Sequence, residues 1–268
     1  MDMPDIEDYA AVGIEIAKKA GEHVLARLNT RFSVSYKGVV NLVTEADLEA
    51  EELIVSRIRK AFPTHTILAE EKHKDTRVGE FCWIIDPLDG TTNYAHGFPV
   101  FSVSIGLEIS GKVEWGVIYN PVLAELYTAR RGAGAFCNGA AIHVSSVESL
   151  GASLLATGFP YDIQTSPANN LDNFCAFAQR SQGVRRCGSA ALDFCAVAAG
   201  RFDGFWELKL NPWDCAAGYL MVEEAGGTVT DFHGQPPSIY AGEFIASNGL
   251  IHQQIVDVLE SVVSNRKS

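Results

Sequence analysis

The chain has 268 residues, of which 47% are apolar and 20% are charged, a composition typical of a folded globular protein and not of a disordered or fibrous one. Its net charge of 21 − 33 = −12 disfavours binding to nucleic acid or anionic lipid and favours binding of cations. No run approaches the ~20 apolar residues of a membrane helix, and the amino terminus is acidic where a secretory signal is basic, so we expect a cytoplasmic protein without membrane contact.

The first third of the chain predicts two helices and two short strands. Apolar residues recur at helical spacing over residues 5–28, which indicates a helix that faces the core. A second helix is predicted to begin at Thr44 and to end before Pro63, since proline cannot continue a helix. The segments 67–71 and 81–85 are short apolar strands; the first finishes on Glu70 and Glu71, and the second is followed directly by Asp86.

Alternating apolar residues over 101–107 and 113–119 predict a hairpin, so we expect residues 81–144 to form an antiparallel sheet covered by helices. From residue 154 onward, the short apolar strands L-L-A-T, T-V-T-D-F and F-I-A-S alternate with helices near 168–182, 189–199, 214–225 and 250–263, which indicates a smaller mixed α/β layer. The change of pattern predicts an N-terminal α+β domain over 1–146 and a C-terminal α/β domain over 147–268, with a boundary near 145–151.

The six cysteines form no C-x-x-C pair and no zinc-like spacing with histidine. In a chain that we expect to stay in the cytoplasm, this predicts buried, reduced thiols rather than disulfides.

Acidic residues stand at several predicted strand ends and helix starts. The stretch W-I-I-D-P-L-D-G-T-T-N-Y places Asp86 and Asp89 three residues apart, directly after a buried strand. Turn chemistry explains such residues, since Asp-Pro and Asp-Gly bend the backbone, and a metal site explains them equally well. Asp214 at the start of a helix and Asp47 in the capping box T-E-A-D have the same two explanations, because acids also cap helices.

Taken together, the motifs are more specific than any one of them. D-P-L-D-G-T-T-N-Y is preceded by L-A-E-E and followed by W-D-C-A-A-G and E-A-G-G; N-L-V-T-E-A-D occupies 41–47 and G-S-A-A-L-D occupies 188–193. This set closely resembles the inositol monophosphatase family over nearly the whole chain. The resemblance implies a layered αβαβα sandwich and a Mg²⁺-dependent, lithium-sensitive phosphatase.

The resemblance also implies the ligands of the metal ions. Glu70, Asp86 and the Leu88 carbonyl would hold one Mg²⁺, and Asp86, Asp89 and Asp214 would hold a second, with a weaker third ion at Glu70. Carboxylates that converge on one point repel one another unless cations neutralise them. Oxygen-only ligands favour Mg²⁺ over zinc, with Mn²⁺ as a substitute.

The glycine turn after Asp89 has a second implied role. Backbone N–H groups of Gly90, Thr91 and Thr92 would bind the substrate phosphate, as turns that open a helix do. By resemblance, Thr91 pairs with Asp47 and, together with Glu70, completes the catalytic set that orients a metal-bound water. The implied reaction is direct in-line hydrolysis without a phosphoenzyme.

Contacts on the leaving-group side would select the substrate. By resemblance these contacts come from Asp89, Ala190, Glu207 and Asp214. A carboxylate such as Glu207 can accept from two neighbouring hydroxyls, which suits a polyol, although a solvated acid at a strand end has the same pattern. Arg185 and Arg186 fit either the far phosphate of a bisphosphorylated sugar or a subunit boundary.

Three functions are compatible with these observations. The leading one is hydrolysis of myo-inositol monophosphate to inositol and phosphate by a cytoplasmic homodimer, where the dimer rests on the resemblance alone. The second is a sister activity on fructose 1,6-bisphosphate or on a 3′-phosphoadenosine nucleotide. The third is a regulatory role in transcription complexes, since some bacterial relatives bind transcription machinery.

Overall fold

The computed structural model describes residues 6–28, 34–36, 42–75 and 79–267, so Asn41, the first residue of the N-L-V-T-E-A-D motif, lies outside the described residues. The helices are α1 (Ile6–Arg27), α2 (Glu45–Ala61), α3 (Thr91–Ala95), α4 (Leu171–Ala178), α5 (Ala190–Ala198), α6 (Pro212–Glu224) and α7 (His252–Lys267). The strands are β1 (Val34–Tyr36), β2 (Leu42–Thr44), β3 (Thr66–Ala69), β4 (Phe81–Asp89), β5 (Ser102–Ile109), β6 (Lys112–Asn120), β7 (Glu125–Arg130), β8 (Gly134–Cys137), β9 (Ala140–Ala141), β10 (Leu154–Thr157), β11 (Gly183–Arg185), β12 (Gly204–Leu208), β13 (Thr228–Thr230) and β14 (Glu243–Ser247).

The larger sheet has the order β3-β4-β5-β6-β7-β8-β9. Every pair from β4 onward is antiparallel, which confirms the predicted antiparallel arrangement of residues 81–144. In contrast, β3 pairs parallel with β4, in a register that places Ala69 opposite Ile85. Since parallel strands end at the same edge of a sheet, Glu70 and Asp86 emerge side by side.

The smaller sheet has the order β11-β10-β12-β14-β13, with both parallel and antiparallel pairs, and belongs to the predicted smaller α/β layer. Strand β12, which lies at the centre of this sheet between β10 and β14, was not predicted from the sequence. Most of G-F-W-E-L is buried, so this strand lacks the polar alternation that marks a half-exposed strand.

Helices and sheets stack in five layers, so the predicted αβαβα sandwich is confirmed. Helices α1 and α2 cover the outer face of the larger sheet, α5 and α6 lie between the sheets, and α4 and α7 cover the smaller sheet. Strand β4 is buried on both faces: Trp83 and Ile85 pack with α1 and α2, whereas Cys82 and Ile84 pack with the central helices. The central core joins residues of both sheets, and the division into two domains stays a prediction.

Helix α6 packs unusually close to the larger sheet. A Cβ on Gly116 of β6 would lie 2.9 Å from the Ala217 Cα, so a side chain there would push α6 away. Pro212 at the first turn suits the helix start, where its missing N–H has no partner to lose. This packing brings the first turn of α6, with Asp214, against the end of β4.

All six cysteines are free, as expected. Cys82, Cys195 and Cys215 are buried, and Cys137 and Cys187 are half-buried. Cys175 is exposed on α4, so the expectation of burial is wrong for that residue. Within the described ranges, no helix is both long enough and apolar enough to cross a bilayer.

Candidate active site

A cavity of about 470 Å³ opens where the ends of β3 and β4 meet the first turns of α5 and α6. Every predicted metal, catalytic and substrate-binding residue lines this cavity except Asp47, which lies behind Thr91. The lining residues among the predicted set are Glu70, Asp86, Leu88, Asp89, Gly90, Thr91, Thr92, Ala190, Glu207 and Asp214.

The D-P-L-D segment is held as an irregular extension of β4. The strand continues past its predicted end at residue 85, with a shift of register between Asp86 and Asp89. The Leu88 N–H donates to Asp86 Oδ1 at 3.0 Å, so the turn chemistry predicted for this motif is present. The Glu70 N–H donates to the Ile85 carbonyl at 3.2 Å, which continues the β3–β4 ladder and places Glu70 beside Asp86.

Burial, together with nearby negative charge, raises the pKa values of Asp86, Asp89 and Asp214. Burial raises the pKa of Asp86 well above its usual range, and the charges of Glu70, Asp89 and Asp214 add to the effect. Burial also raises the pKa of Asp214, with Glu70 as the next cause. The pKa of Asp89 rises to about 6, because burial outweighs the hydrogen bonds from Ser189 and Ala191. A cation among these groups would relieve the repulsion.

The donor set fits a hard divalent cation. The candidate ligands are carboxylate oxygens and the Leu88 carbonyl, with no sulfur or imidazole among them, and Mg²⁺ and Mn²⁺ prefer such ligands. Across the described residues, no three His, Cys, Asp or Glu side chains are already grouped closely enough to hold an ion as they stand. The fit therefore rests on the chemistry of the donors and on their shared cavity.

Two of these carboxylates are anchored by the first turns of the central helices. Asp89 Oδ2 accepts from the Ser189 hydroxyl and from the Ala191 N–H at 2.9 Å. Asp214 Oδ2 accepts from the Asn211 N–H at 2.6 Å, so the predicted helix cap and the cavity position belong to the same side chain. Each carboxylate thus has one oxygen fixed by the protein.

Asp47 makes both the helix-capping contact and the predicted contact with Thr91. Its Oδ2 accepts from the Thr44 N–H at 2.8 Å and from the Thr44 hydroxyl at 2.5 Å, which caps α2. Its Oδ1 accepts from the Thr91 hydroxyl at 2.9 Å. Burial raises the pKa of Asp47 to about 6, although the hydrogen bonds from Thr44 and Thr91 oppose that rise.

The glycine turn requires its glycine. Gly90 has φ +96°, and a Cβ there would lie 2.8 Å from the Val100 carbonyl. Helix α3 begins directly after it, as predicted. Asn93 holds the turn in place, since its Nδ2 donates to the carbonyls of Val100 and Cys187, each at 2.8 Å.

Glu207 points into the cavity from β12 instead of lying at an exposed strand end. Burial raises its pKa well above the usual range, and Asp193 and Asp214 contribute. A Cβ on Gly158 would lie 2.0 Å from Glu207 Oε1, so the bare glycine leaves the space that this carboxylate occupies. Arg186 lines the cavity, whereas Arg185 is exposed on β11 and is not among the described residues that line it.

A profile of the inositol monophosphatase family matches residues 5–264 of the sequence. The chain belongs to this family of phosphatases. It is 44% identical over 257 residues to an inositol-1-monophosphatase of Synechocystis sp., covering 95% of this chain and 90% of the relative. It is also 44% identical over 247 residues to the Nus factor SuhB of Pseudomonas aeruginosa, covering 88% and 90%. The solved inositol monophosphatase of Anabaena (Nostoc) sp. superimposes with a TM-score of 0.88 at 42% identity, covering 96% of this chain and 97% of that one.

Within this family fold, three contributors to the site were not predicted from the sequence. Ser189 and Asn93 lie inside motifs that were recognised, G-S-A-A-L-D and D-G-T-T-N-Y, but their hydrogen-bond partners are far away in the chain. Asp193 is buried and lines the cavity, and burial raises its pKa. The motifs were the available signal for all three residues, and the contacts that define their roles are tertiary.

Proposed function

We propose that the protein is a Mg²⁺-dependent phosphatase that hydrolyses a polyol phosphate monoester, with myo-inositol monophosphate as the leading substrate. The observation that carries this proposal is the convergence of Glu70, Asp86, Asp89 and Asp214, from three separate parts of the chain, on one cavity beside Thr91. A relative with the name inositol-1-monophosphatase, at 44% identity over nearly the whole chain, supports the substrate class.

Glu70, Asp86 and the Leu88 carbonyl would hold one ion, and Asp86, Asp89 and Asp214 a second. When bound, Mg²⁺ would supply Lewis acidity, which neutralises phosphoryl charge, lowers the pKa of water and stabilises the leaving oxygen. The raised pKa values of Asp86, Asp89 and Asp214 are consistent with a site that needs cationic charge.

The Thr91–Asp47 pair would orient the attacking water. Because the Thr91 hydroxyl donates to Asp47 Oδ1, a lone pair of its oxygen is available to accept from water. The ionised form of Asp47 accepts from Thr91 and from Thr44 at once, and the two hydrogen bonds from Thr44 keep the carboxylate from rotating away. The pair therefore sets the direction of the water lone pair toward phosphorus.

The Gly90–Thr91–Thr92 turn would bind the phosphoryl oxygens through backbone N–H groups, and Glu207 would accept from the polyol hydroxyls. The water oxygen forms a bond to phosphorus as the ester P–O bond breaks, and the proton lost from water is balanced by one gained by the alkoxide. The products are inorganic phosphate and the free polyol.

Phosphate release from a substrate panel tests the proposal. The panel holds inositol 1-phosphate, fructose 1,6-bisphosphate and a 3′-phosphoadenosine nucleotide, each with Mg²⁺, with Mn²⁺ and after chelation. We expect the highest kcat/KM for inositol 1-phosphate, and activity only with a divalent ion. Full activity after exhaustive chelation would refute the metal dependence, and a preference for either other substrate would replace the leading one.

A role in transcription complexes is a second candidate, because a relative with equal identity carries the name Nus factor SuhB. A pull-down with wild type and with Asp89→Asn would test it. Recovery of RNA polymerase or ribosomal factors by both proteins would support a role that is independent of turnover, and recovery by neither would dismiss it.

The homodimer, the lithium sensitivity and the cytoplasmic location stay predictions of the family resemblance. Light scattering that reports a single particle of 29.0 kDa would refute the dimer. Phosphate release that is unchanged by millimolar lithium would refute the lithium sensitivity.

A further inference from the structure

Glu51 is a buried carboxylate outside the predicted site. It lies on α2, one helical turn after Asp47, and its side chain is 1% exposed. Its Oε2 accepts from the Glu71 N–H at 2.7 Å, and its Oε1 accepts from the N–H groups of Lys72 at 2.8 Å and of His73 at 3.1 Å. Three successive backbone amides therefore converge on one carboxylate, the arrangement by which proteins bind anions.

These amides belong to the turn that directly follows Glu70. The turn is closed by the Ala69 N–H, which donates to the His73 carbonyl at 2.8 Å. Before the turn, the Glu70 N–H is held by the Ile85 carbonyl at 3.2 Å. The backbone of Glu70 is thus fixed on one side by β4 and on the other by Glu51.

A buried charge needs such partners, because an unpaired carboxylate in the interior is strongly unfavourable. The His73 ring adds one more contact, with Nδ1 at 2.7 Å from Glu51 Oε1. Stabilisation of the loop alone is a sufficient reason for these bonds, but it does not require the loop to lie beside the cavity. The location of this loop, beginning one residue after a candidate ligand, indicates a more specific role.

We propose that Glu51 is a positioning residue for the metal site: by holding the amides of residues 71–73, it sets where the Glu70 carboxylate stands relative to Asp86. This inference rests on the proposed function, in which Glu70 is a metal ligand. Residues four apart share one helix face, so α2 supports the water side of the site through Asp47 and the metal side through Glu51.

Glu51→Gln tests the proposal with little change of volume. One carboxylate oxygen becomes an amide NH₂, which faces backbone N–H donors and cannot accept from them. We expect Mg²⁺ affinity, measured without substrate by isothermal titration calorimetry, to fall about 10–100-fold. At saturating Mg²⁺ we expect kcat to recover to near the wild-type value, so that the metal requirement changes more than the turnover. Glu51→Asp keeps the charge but is one methylene shorter, and we expect an intermediate loss.

Glu224→Gln is the matched control. Glu224 also accepts from loop amides, the Gly132 N–H at 2.8 Å and the Gly134 N–H at 2.9 Å, on the β7–β8 hairpin away from the cavity. We expect it to lower the melting temperature without changing Mg²⁺ affinity. If Glu51→Gln binds Mg²⁺ within about threefold of wild type, well short of the expected loss, the inference is wrong.

Two further outcomes are distinguishable. If Glu224→Gln weakens Mg²⁺ binding as much as Glu51→Gln does, the effect is general destabilisation and the positioning role is refuted. If the wild-type protein itself neither binds Mg²⁺ nor releases phosphate, the proposed function fails first and the inference falls with it. If the wild-type protein is active and Glu51→Gln, but not Glu224→Gln, binds Mg²⁺ more weakly, the inference is supported.

Discussion

Asp47→Asn separates the orientation of water from the capping of a helix. The asparagine carbonyl can still accept from the Thr44 N–H and hydroxyl, which both contact Oδ2 in the wild type. Its NH₂ then faces the Thr91 hydroxyl, where Oδ1 accepts at 2.9 Å. The Thr91 proton must turn to the Leu88 carbonyl, 3.0 Å away, and the Thr91 oxygen accepts from asparagine. One lone pair of the Thr91 oxygen is then taken up by asparagine, and the carboxylate charge that makes this oxygen a strong acceptor for water is gone.

The expected loss of turnover follows from that reversal. Removing a positioned acid–base group costs about 10²–10⁴-fold in rate, which corresponds to about 3–5 kcal/mol of activation free energy. Stability should change far less. The cap survives, whereas losing a cap costs about 0.5–2 kcal/mol. The neutral asparagine also avoids the cost of burying a negative charge, the effect that raises the pKa of Asp47 to about 6.

The assay is phosphate release at saturating substrate and Mg²⁺, with a thermal melt of each variant. Thr44→Val is the control, since it removes the hydroxyl donor to Asp47 but keeps the Thr44 N–H and the Thr91 contact. We expect it to lose about 1 kcal/mol of stability and little activity. The water-orienting role is refuted if Asp47→Asn retains kcat within about tenfold of wild type, or if Thr44→Val loses as much activity.

Three other outcomes are expected. Because the proposed water-orienting role uses the ionised form of Asp47, whose pKa is raised to about 6 by burial, kcat at saturating Mg²⁺ should fall about tenfold per pH unit below that pH; a flat pH–rate profile would contradict this. Asp89→Asn should abolish turnover. The pKa of Asp89 is raised to about 6, so the stability that its protonated form contributes at low pH is lost as the pH rises through 6. With both proteins chelated, Asp89→Asn should therefore have a higher melting temperature than wild type near pH 8 and the same melting temperature near pH 4. A melting temperature of Asp89→Asn below that of wild type at pH 8 would refute the predicted direction of this stability change. Gly158→Ala places a methyl group where Glu207 Oε1 lies, which displaces the carboxylate proposed to bind the polyol, so KM for inositol 1-phosphate should rise about tenfold. If both KM and Mg²⁺ affinity are unchanged, Glu207 does not contact the substrate.

Much of the fold was predictable because its signals are local. Helix α1 shows its apolar face every three or four residues, and α2 carries a capping residue at one end and a proline just after the other. The hairpin of β5 and β6 alternates around a turn that contains Gly111. Strand β12 was missed because a strand buried on both faces has no such alternation.

The sequence by itself determined the chemistry of the site: which carboxylates, hydroxyl and glycine turn are available, and that their oxygen donors suit a hard cation. Only the tertiary structure decided how they combine. The parallel pairing of β3 with β4 places Glu70 beside Asp86, and α3 meeting α2 lets Asp47 cap a helix and accept from Thr91 at once. These contacts join separate segments of the chain, and local periodicity carries no information about which other segment completes a hydrogen bond or faces a like charge.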